Sequence, residues 1–100
     1  MTSDAWHRIG LLAAHHSEAG THAHVLKLSE EVGEAAAALI GLNGWNRRKG
    51  VNATVDDLLD ELGDVIITAA VAMTGITGDP ATAEQRFQRR LAAVVERAQL

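Results

Sequence analysis

"LSEEVGEAAAAL" at residues 28–39 and "LLDELGDVIITA" at residues 58–69 are two versions of one pattern. Each sets a glutamate three residues before a second acid, with a glycine just before that second acid. Apolar residues recur in both at helical spacing, so both stretches read as helices. Residues three apart on a helix share a face. Glu31 and Glu34 therefore point one way on their helix, and Glu61 and Asp64 do the same on theirs. Each pair flanks an apolar stripe, with Leu28, Val32 and Ala35 beside the first and Leu58, Leu62 and Val65 beside the second. Antiparallel packing through those stripes would bring four carboxylates together.

The number of acid pairs decides nothing. Thirteen acids in 100 residues give about 1.6 pairs at this spacing by chance, and three occur once Asp57/Asp60 is counted. Placement is more informative. A glycine inside a helix costs about 1 kcal/mol relative to alanine, and Gly33 and Gly63 hold equivalent places in the two copies. Such a cost is tolerated where a backbone or a ligand must approach closely.

Outward from these two stretches, four helices account for nearly the whole chain. The first is expected from Ser3 or Asp4 as N-cap to about Glu18, stopped by Gly20. The second starts near Thr21, carries Val25, Leu28, Val32, Ala35, Leu39 and Leu42 at helical spacing, and ends at Gly41, Asn43 and Gly44. "GLNGWNRRKGVNA" at 41–53 is the one long loop. Thr54 opens the third helix with Asp57 completing a capping box. Its expected buried face is Leu58, Leu62, Val65, Ile66, Ala69 and Met73, and Gly75 and Gly78 are expected to end it. Asp79 caps a fourth helix with Pro80 at its first position; Phe87, Leu91, Val94 and Val95 lie on one side of it. Nothing alternates as a strand would, so the expected fold is an all-α, four-helix bundle.

Composition narrows the function. At 47% hydrophobic and 3% aromatic, the chain suits a single domain over residues 1–100 with one aliphatic core. Its apolar runs are too short and too charged to span a bilayer, and its first residues lack the pattern of a secretory leader. The absence of cysteine excludes disulfides and thiolate metal sites and fits a cytoplasmic location. A net charge of −4 argues against a nucleic-acid polymer as partner, because phosphate contacts need a basic surface. An anionic small molecule remains compatible if a cation receives it.

Converging carboxylates repel, and without a cation some stay protonated. Hard oxygen donors at this density suit Mg²⁺ or Mn²⁺, which keep waters and bind substrate phosphates. Di-iron chemistry wants Glu-x-x-His on two helices, and no histidine here follows a glutamate by three residues.

"KLSEEVGEAAAAL" followed by "DDLLDELGDVIITAAVAM" resembles the MazG-like, all-α nucleoside triphosphate pyrophosphohydrolases. That signature is E-E-x-x-E on one helix and E-x-x-D on the next, supplied here by Glu30, Glu31 and Glu34, then Glu61 and Asp64. The likeness covers about residues 22–75 firmly and the outer helices loosely. It implies a Mg²⁺-dependent enzyme that hydrolyses a nucleoside triphosphate between the α- and β-phosphates, giving monophosphate and pyrophosphate. It implies that Glu31, Glu34, Glu61 and Asp64 hold the metal, with Glu30 an outer ligand or a base that orients water. It also implies a homodimer or homotetramer whose core helices interleave.

Trp45, Arg47, Arg48 and Lys49 form the one dense basic cluster. The cations, Lys49 and Arg47 foremost, are read as substrate-phosphate contacts; Trp45 is read as stacking on a base or lying in a dimer contact. Lys27, one turn before Glu31, either pairs with it or meets phosphate. His7, His15, His16, His22 and His24 show no metal-ligand spacing and read as surface. Trp6 is expected to pack the first helix. Two other readings fit the residues: a non-catalytic helical module that binds nucleotide or protein, and an enzyme of the same chemistry with a specialised substrate such as phosphoribosyl-ATP. A complete acid set favours turnover, since an idle module is free to lose costly carboxylates.

Overall fold

The computed structural model describes residues 1–100 apart from the side chains at 19 and 21. Four α-helices follow one another: α1, Ser3–His15; α2, Thr21–Asn43; α3, Val55–Thr77; and α4, Pro80–Arg97. There is no strand among the described residues, so the chain is all-α. No helix is long and apolar enough to cross a membrane.

Local chemistry sets the boundaries. Thr2, one residue ahead of the expected cap, opens α1 by accepting a hydrogen bond from the Ala5 N–H at 3.2 Å. A short 3₁₀ turn, Ser17–Ala19, separates the end of α1 from Gly20, whose φ of 79° turns the chain. At α3 the expected capping box forms: Thr54 N donates to Asp57 Oδ2 at 2.8 Å, and Asp57 N to Thr54 Oγ1 at 3.1 Å. Gly75 does not end α3. The helix continues to Thr77, whose hydroxyl donates to the Met73 carbonyl, and the left-handed Gly78 at φ 78° stops it. Asp79 caps α4 as the sequence indicates, accepting from Thr82 N at 3.1 Å and Thr82 Oγ1 at 2.8 Å. These bonds hold its carboxyl below the ordinary carboxylate range.

The helices belong to two compact units, Met1–Thr21 with Ala70–Leu100, and His22–Ala69. In the first, Trp6, Ile9, Ala70, Val71 and Ala83 form a buried cluster, with Ala13, Met73 and Phe87 packed against it. Trp6 is 2% exposed, as expected of a residue that packs α1. Its ring lies 5.9 Å from that of Phe87 at 50°, a tilted arrangement that suits the ring quadrupoles. A Cβ on Gly10 would sit 2.9 Å from Pro80 Cγ, so glycine is what lets α1 come this close to the start of α4.

The second unit is a helical hairpin with very little core. Its least exposed positions on α2 are His24, Leu28, Glu31, Ala35, Ala38, Gly41 and Leu42, and on α3 they include Leu58, Glu61 and Val65. Much of the expected apolar burial is absent. Val25, Val32 and Leu39 of α2, and Leu62 and Ile66 of α3, are exposed. On α4 the same holds for Leu91, Val94 and Val95. Helical periodicity gathers apolar residues on a face, but only a packing neighbour removes that face from water.

Candidate metal centre

Capping fixes where the carboxylates of α3 fall. With Thr54 and Asp57 closing its first turn, Glu61 stands about two turns in. From α2, Glu31 and Glu34 meet it: Glu31, Glu34 and Glu61 each offer an oxygen, and these oxygens lie within 4.8 Å of one another. The Glu31 side chain is only 12% exposed, Glu61 is half-buried and Glu34 exposed. Glu61 Oε2 is shut off from solvent and has no hydrogen-bond partner. A buried carboxylate oxygen left unsatisfied is expensive, and a cation would satisfy it.

The electrostatics agree. Burial pushes the Glu61 carboxyl above its ordinary value, and the neighbouring carboxylates Glu34, Asp64 and Glu31 push the same way. Three hard oxygen donors with mutual repulsion to relieve fit Mg²⁺ or Mn²⁺, or another cation of that kind. Lys27 Nζ lies 4.0 Å from Glu31 Oε1, an ion pair within the helix. Its ammonium is thus turned toward the cluster, but such an exposed pair contributes little by itself.

Of the five acids singled out from the sequence, three meet. Asp64 lies outside the group of oxygens and acts on Glu61 through its charge. Glu30 is exposed and also outside it. None of the five histidines belongs to a metal-capable group among the described residues.

Beside the carboxylates lies a cleft of about 590 Å³. α2 contributes Glu34, Ala37, Ala38, Ile40 and Gly41; the loop contributes Asn46, Lys49, Asn52 and Ala53; α3 contributes Asp57, Asp60 and Glu61. The loop is folded back on α2. The Gly41 carbonyl accepts from Asn52 N at 3.0 Å, Trp45 N donates to the Ile40 carbonyl at 3.1 Å, and Gly44 and Gly50 both turn at φ 64°. Gly41 is the glycine that a close approach requires: a Cβ there would collide with Asn52 Oδ1 and stand 3.1 Å from Ala53 Cβ. By contrast, beyond the adjoining residues and the helix's own backbone, nothing comes within 4 Å of the Cβ position of Gly33 or Gly63.

Among the loop candidates, only Lys49 lines the cleft; Arg47, Arg48 and the 64% exposed Trp45 do not. Asp60 and Asn52 line it too, and neither is among the site candidates read from the sequence. The signal for Asp60 was its three-residue spacing from Asp57, which chance alone accounted for. No protein-family model, curated protein or solved structure matches the chain.

Proposed function

We propose that the chain is a divalent-cation-dependent nucleoside triphosphate pyrophosphohydrolase, cleaving between the α- and β-phosphates. One observation carries this reading: three carboxylate oxygens from two helices lie within 4.8 Å of one another. The orphaned Glu61 Oε2 and the adjoining cleft with its single lysine support it, as does the order of acids that resembles the MazG-like enzymes.

Glu31, Glu34 and Glu61 would hold Mg²⁺ or Mn²⁺, with Asp64 adding charge and Glu30 set to orient water. The bound cation supplies charge neutralisation for the phosphates and a lower pKa for the attacking water. The protein's part is placement. The capped start of α3 fixes Glu61, and the cleft beside it seats the rest of the substrate. Lys49, the one loop cation on the cleft, offsets part of the remaining negative charge. The test is pyrophosphate release from ribo- and deoxyribonucleoside triphosphates with Mg²⁺, with Mn²⁺ and with chelator. Metal-dependent pyrophosphate plus monophosphate is the expected result. Orthophosphate, or no product from any triphosphate, would overturn the assignment.

The proposal includes a second copy of the chain. Val55, Leu59, Leu62 and Ile66 of α3 are all exposed, Leu59 at 58% and Ile66 at 54%. Their spacing follows a heptad seam. In the same hairpin Ala35 is the one hydrophobic residue that is buried among the described residues. A seam of this kind left in water marks an interface, and pairing two hairpins would complete a four-helix core. Sedimentation at micromolar concentration should therefore give a dimer or tetramer. A monomeric mass would sink this part of the proposal.

A further inference from the structure

Helical spacing gathers on α4 what the sequence spreads out. Ala83 is buried and Phe87 packs against the core, which fixes the inward line of the helix. At about 100° per residue, Arg86 and Arg90 fall on one flank of that line and Arg89 farther round the same side. Ala93 follows Arg90 by three residues and Arg89 by four, so it shares their flank. The small Ala93 side chain leaves space between the arginines, and Arg86, Arg89, Arg90 and Ala93 line a hollow of about 190 Å³ there. No acid borders it. Glu84 accepts the Ser3 hydroxyl of α1 at 2.9 Å, and Glu96 comes six residues after Arg90, beyond the reach of a helical ion pair. Arg86, Arg89 and Arg90 take part in no ion pair or side-chain hydrogen bond among the described residues. Like charges at this spacing repel, and an anion would relieve them. The net charge of −4 does not oppose one here. It lies wholly in His22–Ala69, eight acids against four bases, whereas the unit that holds α4 balances five against five.

Size and donors define the anion. A water takes about 30 Å³, so the hollow holds about six, well short of the roughly 300 Å³ at which sites for larger organic ligands begin. One phosphate group or a pyrophosphate fits; a whole nucleotide does not. Each guanidinium presents a planar fork of N–H donors. A single fork satisfies both oxygens of a carboxylate. Three forks around one hollow suit an anion with oxygens on several sides, as a phosphate group has. We propose that Arg86, Arg89 and Arg90 form a binding site for a phosphate-class anion: inorganic phosphate, pyrophosphate or the phosphomonoester end of a larger molecule. Nothing in this site depends on the carboxylate centre or on a metal.

The experiment titrates the metal-free full chain with inorganic phosphate and with pyrophosphate at constant ionic strength, by calorimetry and by NMR of the arginine side-chain N–H groups. Leaving metal out isolates the site, because Glu34, Asp57, Asp60 and Glu61 on the other cleft repel a free anion. Saturable binding is expected, tighter for pyrophosphate, with the signals of Arg86, Arg89 and Arg90 shifting. Arg86→Gln combined with Arg90→Gln should weaken it at least about tenfold, the size of one hydrogen bond to a charged group. Arg86→Lys combined with Arg90→Lys keeps the charge and removes the forks, so it should recover only part of that loss. All three arginines are exposed, so the variants should melt as the wild type does. Lys49→Gln should leave binding unchanged. Vesicles bearing a phosphomonoester head group separate the two sources of such a group. Tighter binding to them than to the soluble head group, helped by the exposed Leu91, Val94 and Val95 of the same helix, assigns the site to a lipid; equal affinity assigns it to a free phosphate. No saturable binding, full recovery by the lysines, or loss with Lys49→Gln but not with the arginine variants overturns the site.

Discussion

Glu61→Gln is expected to cut metal-dependent turnover by at least about 100-fold, since losing even an indirect support of a metal site costs about 10–100-fold. The same change should raise the melting temperature of the metal-free protein at neutral pH. The sign follows from the position of the carboxyl. Its folded-state pKa is raised above the ordinary 4.5, by burial first and then by Glu34, Asp64 and Glu31. A carboxyl shifted this way favours folding fully below the unfolded value and loses that contribution as pH rises through the folded one. At neutral pH the ionised Glu61 therefore works against the metal-free fold, and glutamine keeps the shape while removing the charge. The gain should shrink as pH falls through the raised folded-state value, where the wild-type carboxyl takes up its proton. Mg²⁺ should raise the wild-type melting temperature and leave that of the variant nearly unchanged. Melting curves from pH 4 to 8, with chelator and with Mg²⁺, read all of this. A large loss of stability at every pH would instead make Glu61 a structural partner of α2.

The helices were legible because their signals are local. Thr54 with Asp57, and Asp79 with Pro80, act within one turn, and both formed as the sequence indicated. Gly75 misled because a single glycine lowers helix propensity by only about 1 kcal/mol, and the helix runs on to the left-handed Gly78. Burial was less legible. Leu62 and Ile66 belong to the stripe that periodicity finds, but they remain exposed, because covering them is the work of a neighbour that spacing does not name.

The site was legible in part for a geometric reason. Spacing puts Glu61 and Asp64 about 60° apart on α3, and Asp60 about 100° from Glu61 on the same flank as Asp64. Which flank meets Glu31 and Glu34 depends on how α3 is rotated about its axis, and packing decides that rotation. Here Glu61 turns toward α2, Asp64 stays outside the oxygen cluster, and Asp60 lines the cleft. The same limit applies to the loop: composition marks four candidates, Trp45, Arg47, Arg48 and Lys49, and the fold-back onto Gly41 brings one of them, Lys49, to the cleft.

Trp6→Ala should have the largest effect on stability of any single substitution. Trp6 is the largest fully buried side chain, and Ile9, Ala70, Val71, Ala83 and Phe87 surround it with mostly small groups. Alanines cannot reach across the gap it would leave. Truncating a buried tryptophan costs about 3–5 kcal/mol, against about 5–15 kcal/mol for the whole of a typical domain. Trp6→Phe is the informative companion. It keeps an apolar ring against Phe87 and removes an indole N–H that is buried without a partner, so part of the lost packing is offset by relief of an unsatisfied donor. Urea unfolding should rank the wild type and Trp6→Phe close together and Trp6→Ala far below. Equal losses from both substitutions would mean that the indole nitrogen has a partner worth keeping. Because Trp6 belongs to the first unit and the carboxylates to the second, Trp6→Ala should still turn over substrate at a temperature where it remains folded. Glu61→Gln should stay at least about 100-fold down at every temperature.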